Sequence, residues 1–221
     1  LRLMSRGTYF AVAACLQCLE NTDWPRNNGQ GKLGVAGAIS NSSQDAVETG
    51  IETLRNRGYR RILPYYLTKS FPHSPASEAG RLTGFQDNVM TISTACTSGF
   101  NALSYAADQI RAGCADAFLC PSTDATITKF TFPYFCRAGM LSTRNEEPRR
   151  ASRPFDAERD GGVLGEGAGC VLLEEEQHAR ARNAPVYAEL LGCGASGRGY
   201  TDPSGNAETG IIGQLSGHSV A

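Results

Sequence analysis

A cysteine framed by small hydroxylated residues is the clearest sign of chemistry in this sequence. Residues 89–94 are rich in β-formers, Cys96 follows at once, and a helix-compatible run begins at Thr97. This order places the Cys96 thiol at a strand-to-helix turn, beside the first backbone N–H groups of the helix. Because these amides carry partial positive charge, they stabilise a thiolate, and Cys96 becomes a candidate nucleophile near neutral pH.

A structural role is the alternative for Cys96, because free thiols commonly pack inside protein cores. Its neighbours argue against this role. Thr94, Ala95, Thr97 and Ser98 fill little core volume, whereas small hydroxylated residues suit a tight turn beside a ligand.

The other seven cysteines are predicted to pack as small apolar residues. Cys15 and Cys18 have the spacing of a zinc-ligand pair. The sequence contains no second pair with such a spacing, and both cysteines lie in an apolar helical run. We therefore predict no metal site, and no cofactor site. The length of the chain and the lack of a secretion signal predict reduced thiols and a cytoplasmic location.

The elements that must position Cys96 alternate between strand and helix. Apolar strands are predicted at 33–39, 89–94, 115–120, 168–174 and 186–194, and helices at 5–20, 44–57, 76–83, 97–112 and 175–182. Strands that are apolar throughout indicate a sheet covered by helices on both faces, which is an α/β layered fold.

Composition excludes several classes of function. With 221 residues, of which 41% are hydrophobic and 19% charged, the chain can bury a globular core. A net charge of −1 predicts no general attraction to nucleic acid or anionic membranes. No apolar run reaches the roughly 18 residues of a membrane span. The chain begins at Leu1 rather than methionine, so we expect it to be a piece of a longer protein.

A polar loop at 142–160 leads into a glycine-rich run and a buried strand. Arg153, Asp156, Arg159 and Asp160 are predicted to form a charge network that fixes this loop. Packing of this kind near a cleft positions a site and does not perform the reaction.

Two ordered stretches resemble the β-ketoacyl-acyl carrier protein synthases, the condensing enzymes of the thiolase-like fold. The run Ala-Cys-Thr-Ser-Gly around Cys96 resembles their active-site segment, and 141–169 resembles their run from a Leu-Ser bend through Arg-Pro-Phe-Asp to Gly-Glu-Gly-Ala-Gly. Gly162 stands where many members have phenylalanine, which puts the shape of the acyl pocket in question. Glu166 matches an acidic residue of the family and is expected to hold neighbouring backbone.

The resemblance implies a thiolase-like α-β-α-β-α architecture, incomplete here. Residues 1–221 would form one partial domain, the nucleophile-bearing N-terminal half, truncated at both ends. Cys96 would accept an acyl group from a carrier thioester for decarboxylative condensation with a malonyl thioester, in fatty-acid or polyketide synthesis. The implied partners are acyl and malonyl carrier proteins and a second copy or a partner synthase chain, with no nucleic acid and no membrane.

The family also uses two histidines that this sequence does not place. Only His73, His178 and His218 occur, and none lies in a His-Gly-Thr motif. Gly217-His218 weakly resembles the family's Gly-His segment, but Gly213 takes the place of its lysine. His178 is predicted to be exposed and inert. Three origins stay open: a fragment of an enzyme, a truncated remnant, or a slice that pairs with another chain.

Two other functions compete with the condensing enzyme. The missing histidines favour a non-catalytic, thiolase-like partner subunit, although the relatives of that kind lack the cysteine that is retained here. A cysteine hydrolase with His73 or His218 as base has no support from spacing. For a slice of a larger domain, we also expect a large exposed apolar surface.

Overall fold

The computed structural model describes residues 4–25, 31–41 and 43–195. Within these residues lie seven α-helices and four strands. The helices are α1 (Arg6–Asn21), α2 (Gln44–Arg57), α3 (Tyr66–Ser70), α4 (Ser74–Thr83), α5 (Ser98–Arg111), α6 (Thr131–Arg137) and α7 (Glu176–Ala181). The strands are β1 (Leu33–Ile39), β2 (Asn88–Ile92), β3 (Ala117–Asp124) and β4 (Gly167–Glu174), and short 3-10 turns lie at Tyr59–Arg61 and Pro148–Arg150.

Local sequence signals fix the ends of the long helices. The Ser5 hydroxyl accepts from the N–H of Thr8 at 3.3 Å and caps the start of α1. Helix α2 ends at Gly58, which has a φ of 76° that side-chain-bearing residues rarely adopt. These signals explain why the predicted helices at 5–20 and 44–57 are confirmed to within one residue.

The four strands form one sheet in the order β2-β1-β3-β4. Strand β1 pairs in parallel with β2 and β3, and β4 runs antiparallel to β3. In this register Ala38 lies opposite Ile92, and Thr123 lies opposite Ala168. The carboxyl ends of β1, β2 and β3 therefore meet the start of β4 at one edge of the sheet, which we call the carboxyl edge.

Helices cover both faces of this sheet, as predicted. Helices α1 and α4 pack on one face, around Val35, Phe85 and Leu119, which are fully buried. Helix α5 packs on the other face through Ala102 and Ala106, against a cluster that includes Phe118. All seven residues of β1 are buried, since this strand has a neighbour on each side and helices above and below.

Two predictions for individual segments are wrong. Residues 186–194 form no strand, and Val186, Tyr187 and Leu191 are exposed. Their apolar pattern is typical of a strand, but no described strand pairs with them, and a strand needs a hydrogen-bonded neighbour. Helix α3 lies in an aromatic-rich segment for which we predicted no helix. Among the described residues, no helix is both long and apolar enough to cross a membrane.

Candidate active site

Cys96 lies between the end of β2 at Ile92 and the start of α5 at Ser98. The predicted strand-to-helix turn is thus confirmed, although the strand ends two residues earlier than expected. The Cys96 side chain is free and exposed at the carboxyl edge of the sheet. The thiol is therefore not packed in the core that the described residues form, and its catalytic role stays a prediction.

Hydroxyl and amide side chains brace the turn around the thiol. The Ser98 hydroxyl accepts from the N–H of Thr94 at 2.8 Å and donates to the carbonyl of Ala95 at 2.6 Å. The Thr97 hydroxyl donates to the carbonyl of Thr94 at 2.9 Å, and Asn101 donates to the Thr94 hydroxyl at 2.7 Å. Ala95 has a φ of 56°, a conformation that costs roughly 1–2 kcal/mol for L-residues. These bonds hold the strained backbone in place.

Helix α5 directs its N-terminus at this turn. Its N-cap residue, Thr97, makes no side-chain hydrogen bond to the first-turn amides, because its hydroxyl serves the turn instead. A Cβ added to Gly99 would lie 3.3 Å from the Ser122 hydroxyl, so glycine allows close approach to β3. The positive end of the helix dipole is therefore beside Cys96, as the sequence predicted.

Asp124, which sequence reasoning did not select, joins β1 and β3 at the same edge. Its carboxylate accepts the N–H groups of Asn41 at 2.9 Å and Ser40 at 3.1 Å. The Asn41 side chain in turn accepts from the Tyr134 hydroxyl at 3.2 Å, which connects α6 to the carboxyl edge. Burial raises the pKa of the Asp124 carboxyl, and the two backbone N–H groups offset this only in part.

The raised pKa of Asp124 predicts a pH-dependent contribution to stability. Its contribution is complete below the ordinary pKa of 3.8 and is lost as pH rises through the higher folded-state pKa. We therefore expect the free energy of unfolding of Asp124→Asn to increase progressively relative to that of the wild type as pH rises from about 3 to 7. Urea unfolding measures this difference.

A matched control has the opposite sign. The Ser142 hydroxyl donates to Asp160 at 2.8 Å and lowers the pKa of that carboxyl. The stability that Asp160 contributes is present above 3.8 and is lost as pH falls through the lowered pKa. Asp160→Asn should accordingly become less stable relative to the wild type as pH rises. Identical pH trends for the two variants would contradict this account.

Glu166 performs the backbone-holding role expected from the resemblance. One carboxylate oxygen accepts the N–H of Ile127 at 2.9 Å, and the other pairs with Arg6 at 2.8 Å. The carboxylate thereby connects the start of β4, the segment after β3 and the first turn of α1. It stabilises the carboxyl edge and does not reach Cys96 by any described hydrogen bond.

The charged loop forms a network with three of its four predicted members and two others. Arg159 forms no ion pair among the described residues and donates instead to the carbonyl of Asp156 at 2.8 Å. Arg153 lies 3.8 Å from both Asp156 and Glu158. Arg144 lies 3.5 Å from Asp160 and 3.9 Å from Glu158. Arg144 and Glu158 are the additional members, and only contact in space identifies them.

Gly162 has space for a side chain. An added Cβ would meet only the carbonyl of Met140, at 3.7 Å, and its φ is not in the left-handed range. The backbone does not require glycine here, so the absent side chain affects the space beside the loop and not the path of the chain.

No described hydrogen bond joins a histidine to Cys96. His73 is exposed at the start of α4 and lies near Phe71, and no described hydrogen bond joins it to Cys96. His178 follows β4, at the opposite edge of the sheet from Cys96. His218 lies outside the described residues. The described histidines thus give no support to a hydrolase based on a cysteine and a nearby histidine.

The prediction that His178 is exposed is wrong. Its ring is half-buried, stacks on Trp24 with centroids 6.0 Å apart, and has Nδ1 2.6 Å from Glu174. The run of charges on α7 suggested a solvated helix face. His178 instead lies on the face that meets the end of α1, which a charge pattern alone does not reveal.

The cysteine prediction is wrong in part. Cys15 and Cys120 are buried, and Cys18 and Cys170 are half-buried. The other three are exposed: Cys114 lies in a turn, Cys136 in α6 and Cys193 in an irregular segment. A hydrogen bond to Cys170 and burial raise the pKa of the Cys18 thiol. Among the residues of known position, no three His, Cys, Asp or Glu side chains are placed to share a metal ion.

Comparison with known proteins gives a consistent match. Residues 1–179 match the model of the β-ketoacyl synthase N-terminal domain. The 3-oxoacyl-[acyl-carrier-protein] synthase 2 of Vibrio cholerae is 36% identical over 214 residues, which cover 96% of this chain and 52% of that protein. The chain spans about half the length of the curated relatives it matches.

Solved structures agree with the sequence relatives. A β-ketoacyl synthase from Burkholderia phymatum superposes with a TM-score of 0.77 at 31% identity, covering 87% of this chain and 48% of that one. A ketosynthase bound to its type II polyketide acyl-carrier protein gives a TM-score of 0.78 at 31% identity, with coverages of 86% and 49%. The predicted thiolase-like architecture is thereby confirmed, and this chain forms about half of it.

Proposed function

Since this chain belongs to the β-ketoacyl synthase family, we propose that Cys96 is the nucleophile of a condensing enzyme. The single observation that supports this role is the placement of an exposed thiol in a braced turn at the start of α5. The thiolate attacks the carbonyl carbon of an acyl thioester, and the carrier thiol leaves with a proton. The acyl group then rests on Cys96 as a new thioester.

Two features of the turn assist this transfer. The start of α5 lies beside the sulfur and presents unpaired backbone N–H groups there, and the backbone N–H of Cys96 serves as one donor to the oxyanion of the tetrahedral intermediate. The hydrogen bonds of Ser98 and Thr97 fix these groups before substrate arrives. Preorganised donors lower the barrier because they need no rearrangement during the reaction.

Condensation then requires a malonyl thioester. It loses carbon dioxide to give an enolate, which attacks the acyl-cysteine and releases a 3-oxoacyl product with two more carbons. Among the described residues, no hydrogen bond joins a histidine to Cys96, and no His-Gly-Thr motif occurs in the sequence. We therefore propose that residues 1–221 form one half of the catalytic domain, that they acylate Cys96, and that the other half supplies the groups for decarboxylation.

The test supplies residues 1–221 with an acyl-carrier thioester, with and without malonyl-carrier thioester. We expect acyl-enzyme in both cases and no 3-oxoacyl product. A 3-oxoacyl product from these residues alone would contradict the division of labour, and a folded sample without acyl-enzyme would favour the partner-subunit alternative. The retained Cys96 favours the enzyme.

The arrangement of charges supports a carrier as acyl donor. Among the described residues, no carboxylate pairs with any of five cations in and after α2: Arg55, Arg57, Arg60, Arg61 and Lys69. Leu63, Leu67 and Tyr59 lie exposed among them. Unpaired cations beside apolar side chains attract an anionic protein partner and speed its association.

Charge reversal tests this surface. We expect Arg60→Glu with Arg61→Glu to reduce kcat/KM for carrier thioesters about 10-fold in the assembled synthase, and more at low salt. A small thioester without a carrier should react at the normal rate. Arg149→Glu with Arg150→Glu, the same dipeptide in the other 3-10 turn, is the control. Equal losses in both double variants would contradict the proposed carrier surface.

The sheet edge supports assembly with a second copy. Strand β2 is an edge strand of the described sheet, and Val89 and Met90 are each 40% exposed. An open strand edge with apolar side chains can pair with its symmetry mate. We propose a homodimer through β2, which light scattering of the synthase and a Val89→Lys variant would test, and a cytoplasmic location, which suits the free cysteines.

A further inference from the structure

The tip of the charged loop presents an aromatic side chain in an unusual backbone conformation. Phe155 is 100% exposed and has a φ of 65°. It is the third residue of a turn in which the N–H of Asp156 donates to the carbonyl of Arg153 at 3.2 Å. Pro154 in the second position and a positive φ in the third are the features of a type II turn, where glycine or asparagine is the favoured third residue.

The surrounding network keeps this turn rigid. The Arg153 guanidinium donates to the carbonyl of Arg150 at 3.1 Å and lies near Asp156 and Glu158. The N–H of Glu158 donates to Asp156 at 2.8 Å, which closes the loop from the other side. The ring of Phe155 is fully exposed and packs against no described residue.

Neither folding of the described residues nor the proposed acyl transfer uses this ring. A strained backbone persists where the surroundings or a function require it. Aromatic side chains, phenylalanine included, are enriched at the cores of protein interfaces. The loop residues around it are also largely exposed, so the ring stands at the centre of an uncovered surface.

The relatives indicate what covers this surface. The matched structures align with most of this chain, yet the chain accounts for only 48% and 49% of their lengths. In these relatives, one polypeptide therefore contains this half and a second portion of similar size. That second portion is the part of the protein that can cover the exposed Phe155 ring on this half.

We propose that Phe155 inserts into an apolar socket on the second half of the synthase domain, carried by the same polypeptide. This inference rests on the proposed function, because it requires the chain to be one half of a condensing enzyme. The anchor would fix the charged loop against that half at the carboxyl edge of the sheet.

The test places a photoreactive phenylalanine analogue at position 155 in the native synthase, isolated from its own cells. We expect an intramolecular cross-link from 155 to a segment beyond residue 221. A cross-link to a second copy, to a carrier or to another polypeptide would overturn the proposal, as would the absence of any cross-link.

Two variants make the inference falsifiable without the probe. Phe155→Asn suits the positive φ but removes the ring, and we expect limited proteolysis between the halves to accelerate about 10-fold. Phe155→Trp keeps a large apolar ring and should change the rate less than twofold. Equal rates in both variants would overturn the anchor.

A separate readout distinguishes this proposal from the proposed function. If Cys96 of the wild-type synthase is not acylated by a small thioester, the catalytic assignment fails whatever the cross-link shows. If Cys96 is acylated but the ring makes no cross-link, only the anchor fails.

Discussion

Cys96→Ala is expected to reduce acyl transfer by at least about 10³-fold, because no neighbour can replace the thiol. The hydroxyls of Thr97 and Ser98 are both committed to hydrogen bonds within the turn. The variant should fold normally, since an exposed side chain contributes little to stability, within about 0.5 kcal/mol. Stopped assays with an acyl-carrier thioester measure the loss.

Two exposed cysteines provide matched controls. Cys114→Ala and Cys136→Ala remove thiols that are also exposed and should change the rate less than twofold. A Cys96→Ala variant that keeps normal acyl transfer would refute the nucleophile assignment. Equal losses in all three variants would point to a general effect of thiol removal instead.

Glu174→Ala is expected to destabilise the fold by about 3–5 kcal/mol, as removal of one partner from a buried ion pair does. The Glu174 side chain is 8% exposed and receives two bonds from Arg182, at 2.7 and 2.8 Å. Arg182 also donates to the carbonyl of Thr22 at 2.8 Å and lies over the Trp24 ring. The carboxylate thus connects β4, α7 and the end of α1, and its loss leaves the Arg182 cation, which is 14% exposed, without a carboxylate partner.

An exposed pair in the same helix is the control. Glu176 and Arg180 lie 2.5 Å apart, but both side chains are mostly in solvent. Glu176→Ala should cost at most about 1 kcal/mol. Urea unfolding of the two variants measures the difference, and similar losses for both would contradict the buried role of Glu174.

The sequence predicts best the elements of this fold that local signals define. Strand β1 and helix α2 follow from apolar continuity and a closing glycine, and both are confirmed. Residues 186–194 show the limit of such patterns. Their strand-like composition does not form a strand, because pairing depends on a neighbour that composition does not specify.

In the candidate site, too, local features are predictable from sequence and contacts between distant residues are not. The turn that carries Cys96 is a local feature, so the order of strand, cysteine and helix is enough to predict it. Asp124 and Arg144 act on backbone and charges distant in sequence, and no local pattern signals them. The half-burial of His178 was missed for the same reason, since the partner ring belongs to the end of α1.

The most direct test of the account is the location of the acyl group after brief exposure of the folded protein to an acyl-carrier thioester. Four exposed thiols compete for it. Cys96 is the candidate, and Cys114, Cys136 and Cys193 are internal controls. Peptide mass spectrometry should find the acyl group on Cys96 alone. An even distribution over the four thiols, or an acyl group on any of the other three but not on Cys96, would contradict the assignment of the nucleophile.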